Sequence, residues 1–146
     1  METTRGTERD AMDASGIART AFGLDVAEGP GSVQRLPGDQ ERNFRVQAAG
    51  GQTYLLRLYV SGMPREEIAF LRDLTDHACR DEASRGGAEL SARLQRFVGE
   101  GERIESVEWE GRRVDACLLT FLPGQLLADV HPHSPELIRD FGRTLG

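Results

Sequence analysis

The stretch LPGDQERNFRV, Leu36–Val46, decides how this chain is read. It sets a Pro-Gly pair, charged residues and an asparagine between two flanks, VQRL and FRVQA, in which apolar and polar residues alternate. Alternation at period two marks half-buried strands, and Pro37-Gly38 supplies the turn, with Gly38 free to take positive φ. The stretch is therefore read as a hairpin. Whether its turn holds something depends on the rest of the chain.

Working outward, TYLLRLYV (Thr53–Val60) is β-branched and aromatic enough for a third, well-buried strand, reached through the Gly50-Gly51 turn. Upstream, Met12, Ile17, Ala18, Ala21 and Phe22 recur at helical spacing, with Gly23 placed to end that helix. Downstream, Pro64 opens a helix with an apolar stripe of Ile68, Leu71, Leu74 and Ala78, and Glu66 and Glu67 at its positive end. A polar loop over 79–92 follows. Leu94–Val98, Ile104–Trp109 and Arg113–Leu122 read as strands separated by Gly-Glu turns. Ser134-Pro135-Glu136 starts a last helix, whose stripe is Leu137, Ile138, Phe141 and Leu145.

Short turns between strands predict an antiparallel sheet with one inserted helix on a face. The fold class is α+β: about five strands, one inserted helix, an N-terminal helix, and one more helix at the end. Residues 1–11 are expected to be a disordered lead-in, 12–122 the main lobe, and 123–146 a linker and the first helix of a second lobe.

At 146 residues, 38% hydrophobic and 29% charged, the chain is one soluble globular domain's worth of sequence. It has neither a spanning apolar run nor a signal-like N-terminus, so a cytoplasmic location is expected. The net charge is −6, and all 18 basic residues are arginine. An acidic chain without a basic run is a poor partner for nucleic acid or anionic membrane. Cys79 and Cys117 have no CxxC or histidine spacing and read as buried thiols. His131 and His133 flank a proline with no third ligand near, so no metal site is expected in this chain.

A turn between strands, a cation facing inward from the next buried strand, and a carboxylate near the start of the following helix recur in one kind of site. It is the phosphate cradle of kinase-like nucleotide-binding lobes, where turn amides cover the phosphates and the cation reaches them. The candidates are the turn Gly38, Asp39, Gln40, Glu41, Arg42 and Asn43, the cation Arg57, and the carboxylate Glu67. A Glu67–Arg57 ion pair is expected, with Glu66 the more exposed of the two glutamates.

LPGDQERNFRV, LLRLY, REEIAFLRDL and ACLLTFLPG, taken together, resemble the N-terminal lobe of the aminoglycoside phosphotransferase and choline kinase-like superfamily. Within it the sequence is most like hydroxylysine kinase and bacterial relatives, some of them fused to class III aminotransferases. The resemblance runs over residues 12–146. It implies a protein-kinase-like N-terminal lobe that binds ATP or GTP with Mg2+, with Leu119, Thr120, Phe121 and Leu122 as the hinge that receives the base. Arg57 stands where the family commonly has lysine, a change from a compact charge to a planar fork.

The family's HxDxxxxN loop and its later magnesium aspartate belong to a C-terminal lobe. None of His77, His131 and His133 is followed by that pattern. The chain is thus expected to be a nucleotide lobe without the catalytic lobe, inactive alone, with magnesium and the hydroxyl acceptor held elsewhere. The alternatives are a non-catalytic nucleotide-binding or regulatory module, and an α+β scaffold whose turn binds nothing.

Overall fold

The computed structural model describes residues 2–84, 97–98, 103–124 and 129–145. The elements are α1 (Glu2–Phe22), β1 (Val33–Leu36), β2 (Arg42–Gln47), β3 (Thr53–Tyr59), α2 (Arg65–Ser84), β4 (Ile104–Trp109), β5 (Arg112–Thr120) and α3 (Pro135–Leu145). The five strands form one antiparallel sheet in the order β1-β2-β3-β5-β4. The α+β, kinase-like N-lobe arrangement is the one expected.

Alternation along β3 builds both faces. Leu56 and Leu58 join Phe44, Val46, Ala116, Leu118 and Trp109 in a core closed by Ala14, Ile17, Ala18 and Phe22 of α1. Leu55 and Tyr59 point the other way, into a second cluster with Ile68 of α2, Ile104, Cys117 and Leu119. β5 lies between β3 and β4 and is buried on both faces: Val114, Ala116 and Leu118 on one, Cys117 and Leu119 on the other. The β4–β5 hairpin turns on Glu110 and Gly111, both at positive φ (49° and 75°), the conformation two-residue hairpins favour.

Four expectations are corrected. α1 begins at Glu2, not after a disordered lead-in, and Asp10 ties it to β1 by accepting from Arg35 at 2.7 Å. α2 runs on to Ser84, with Cys79, three turns after Ile68 and on the same side of the helix, also buried. The stripe of α2 is rotated: Ile68 is buried, but Leu71 and Leu74 are 41% and 52% exposed. β5 ends at Thr120, so Phe121 and Leu122 leave the sheet.

Of the Leu94–Val98 strand, Phe97 makes a single antiparallel bridge to Leu119, and the Val98 N–H reaches the Leu118 carbonyl at 2.8 Å. Residues 94–96, 85–92 of the polar loop, 125–128 of the linker and the Leu145 side chain lie outside the described residues. α3 is capped as expected, the Leu137 N–H donating to Ser134 Oγ at 3.2 Å. Its Ile138 and Phe141 are exposed. No described helix is long and apolar enough to cross a membrane.

Candidate functional site

Strand register assembles the site before any side chain is considered. Leu36 of β1 is opposite Asn43, Asn43 opposite Arg57, Arg57 opposite Cys117, and Cys117 opposite Ile104. Residues opposite one another share a face and lie within side-chain reach. The cation therefore sits mid-sheet on the α2-side face, with Leu55 and Tyr59 two residues to either side of it. A lone arginine among apolar neighbours needs a polar partner.

That partner is Asn43, whose Oδ1 accepts from Arg57 Nε at 3.0 Å. The pairing with Glu67 is not made. Glu67 and Glu66 both stand exposed in the first turn of α2, and Arg57 makes no ion pair among the described residues. The rotation of α2 explains it. Arg65 is drawn toward the sheet by Asp115 at 3.2 Å and by the Ile104 carbonyl, with Ile68 buried one turn on. Positions 67, 71 and 74 are thereby turned to the outside.

Two further groups surround the cation without neutralising it. Burial pushes the Tyr59 phenol up to about 12, with the Cys117 sulfur adding to the shift and the nearby Arg57 opposing it. Burial likewise pushes the Cys117 thiol up to about 12, helped by the Asp115 carboxylate. Both stay neutral at ordinary pH, so neither cancels the charge of Arg57, which makes no ion pair among the described residues.

The turn over this row is tightly built. Gly38 does not use positive φ; its need is steric instead. A Cβ there would lie 2.7 Å from Asn43 Nδ2 and 3.0 Å from the Glu41 carbonyl oxygen. Glu41 is tied back to the loop after β3, accepting from the Ser61 hydroxyl and, at 3.3 Å, from its N–H. Asp39 and Gln40 are exposed at the tip. Arg42 pairs with Leu58, on the α1-side face, and does not join the row.

Leu36, Pro37, Asn43, Leu55, Arg57, Phe121 and Leu122 line a cavity of about 210 Å3. Turn, cation and the end of the proposed hinge thus meet in one place. Phe121 carries the Arg45 guanidinium 5.8 Å from its ring centre, while Leu119 is buried and Thr120 is still paired with Tyr54 in the sheet. Sequence reading missed Leu36, Leu55, Tyr59 and Cys117. Leu55 and Tyr59 were within reach, since residues two apart on a strand share a face. Cys117 needed the cross-strand register.

The arrangement fits a polyanion, offering a half-buried arginine under a glycine turn with an apolar wall at Leu55 and Phe121. It does not fit a metal: among the described residues no group of three His, Cys, Asp or Glu could hold one. The rings of His131 and His133 are 5.1 Å apart with no third ligand group. Neither the curated proteins nor the solved structures compared with the chain include a match. Residues 32–146, well over half of the chain, match the model of the phosphotransferase enzyme family, and the protein belongs to that family.

Proposed function

We infer that this chain supplies the nucleotide-binding lobe of a small-molecule kinase. The cavity shared by the Gly38 turn, Arg57 and Phe121-Leu122 carries this reading. In it the phosphates of ATP or GTP lie under Gly38–Asn43 and against Arg57, and the base lies against Leu55 and the Leu119–Leu122 segment. The nucleotide supplies the γ-phosphoryl group that passes to a hydroxyl, and the residues here position the phosphates. Magnesium finds no ligands among the described residues, so its ligands and the acceptor belong to a catalytic lobe. The acceptor class is a hydroxylated amine or amino acid, with hydroxylysine the first to test on the resemblance of the motifs. The enzyme works in the cytoplasm, and fusion to an aminotransferase domain is one arrangement in which to look for it.

The second reading, a non-catalytic nucleotide-binding or regulatory module, draws on the three histidines, none of which begins an HxDxxxxN loop. Amide resonances followed while ATP or GTP is added test both readings. Shifts confined to 38–43, 57 and 119–122 are the expected result, and perturbation elsewhere would remove the nucleotide from this cavity. The same chain, given magnesium, nucleotide and hydroxylysine, is expected to show no turnover. Turnover equal in the wild-type and Arg57→Ala chains would put the chemistry elsewhere.

A further inference from the structure

Arginine and lysine in a phosphate site need an anchor, because a free side chain would be disordered by several rotatable bonds before any ligand arrived. A carboxylate is one solution, but it cancels part of the charge that the phosphates are to meet. In this chain the anchor is an uncharged amide. Asn43 Oδ1 holds Nε, the one guanidinium nitrogen on the stem side of the fork, at 3.0 Å. Asn43 and Arg57 line the cavity together, and the Tyr59 hydroxyl is a second, equally uncharged hydrogen-bond partner of the guanidinium. The carboxylates nearest in the sequence plan are engaged or turned away: Glu41 on Ser61, Asp115 on Arg65, Glu67 exposed.

The anchor is itself held. Gly38 closes on the Nδ2 side of the same amide so tightly that a methyl group would meet it at 2.7 Å. One asparagine therefore touches both halves of the site, the turn through Nδ2 and the cation through Oδ1. We propose that Asn43 is the positioning residue of the site, a neutral clamp that fixes the plane of the Arg57 fork for a polyphosphate and leaves its charge uncancelled. The proposal rests on the nucleotide reading above and adds to it what orients the cation.

The test uses the Arg57 Nε–H resonance of the 146-residue chain, with ATP and inorganic tripolyphosphate as probes. In the wild type the resonance is resolved and slow to exchange, and both probes shift it. Asn43→Ala loses the protection, and its affinity for both probes falls about tenfold, equivalent to about 1.4 kcal/mol. Asn43→Asp separates anchoring from charge: protection returns, because a carboxylate holds Nε at least as well, yet affinity stays about tenfold or more below wild type. Glu67→Gln changes neither readout. Protection surviving in Asn43→Ala, or wild-type affinity in Asn43→Asp, overturns the clamp while leaving the nucleotide reading intact. Probes that fail to move the Arg57 resonance in the wild type overturn both.

Discussion

Glu41 and Ser61 fasten the turn between β1 and β2 to the loop that follows β3, one carboxylate accepting from both the N–H and the hydroxyl of the serine. The pair is exposed, so its contribution to global stability is small, about 1 kcal/mol or less. Its effect is local, restraining the tip that carries Asp39 and Gln40. Glu41→Ala is therefore expected to speed amide exchange across residues 39–41 severalfold while the urea midpoint moves little. Exchange rates unchanged in that variant would mean the turn is held by its own backbone.

Trp109 meets Phe44 with ring centres 5.5 Å apart, inside the core that α1 closes. It is 2% exposed, and its indole N–H has no acceptor among the described residues. Removing the ring should cost about 3–5 kcal/mol. Removing only the unpaired donor is a different matter, since a buried N–H without a partner costs about 1–3 kcal/mol, which offsets the smaller ring's loss of packing. Chemical denaturation should place Trp109→Phe within about 1 kcal/mol of wild type and Trp109→Ala far below. Equal losses in the two variants would show that the indole nitrogen is satisfied in solution.

The sheet was legible in the sequence because its signals are local. FRVQA alternates, TYLLRLYV is a β-branched and aromatic run bounded by turn residues, and Glu110-Gly111 punctuates β4 and β5 where the chain turns. Arg57 could be placed on a face by counting from Leu55 and Tyr59. Its partner could not, because α2 presents two candidate stripes to a reader. Leu71, Leu74 and Ala78 extend the apolar stripe in one direction from Ile68, but the buried side runs in the other, through Arg72, Thr75 and Cys79. Arg65 and Arg72 disguise the second stripe: long stems lie along the protein while charged heads find oxygen, as Arg65 does at Asp115 and the Ile104 carbonyl. The helix over residues 2–11 was hidden for another reason. ETTRGTERDA has no apolar face, and its helical state follows from propagation out of the packed turns around Ala14 and Ile17.

Cys117 and Tyr59 make stability depend on alkaline pH. Each has its ionisation raised in the fold, Cys117 from 9.0 and Tyr59 from 10.0, both to about 12. The unfolded chain therefore releases these protons first. Their stabilisation is complete below pH 9, declines as pH rises, and is lost on passing about 12. Each group contributes a slope of about 1.4 kcal/mol per pH unit within its window. Urea midpoints should be flat with respect to these two groups up to pH 9 and fall beyond it, and Cys117→Ala should make the initial fall shallower. The charged groups around the pair act in both directions: Arg57 and Arg65 oppose the shifts, and Asp115 and Glu41 add to them. A slope unaltered by Cys117→Ala would place the thiol in contact with water.

Rotation of α2 separates residues that look equivalent in the sequence. Ile68 is fully buried against Leu55, Tyr59, Ile104, Cys117 and Leu119, whereas Leu74, six residues on, is 52% exposed. Truncating a buried isoleucine removes transfer energy and leaves a cavity, together about 2–5 kcal/mol. Replacing an exposed leucine with a helix-compatible polar residue changes stability by about 0.5 kcal/mol at most. Ile68→Ala should thus lower the urea midpoint steeply, and Leu74→Gln should leave it in place. The order of the two effects tests the orientation of α2, and with it the absence of a Glu67–Arg57 pair. Turning the helix enough to bury Leu74 would swing Glu67 toward the sheet and Ile68 away from it. A destabilised Leu74→Gln with a tolerant Ile68→Ala would therefore return the anchor of Arg57 to the carboxylate and take it from Asn43.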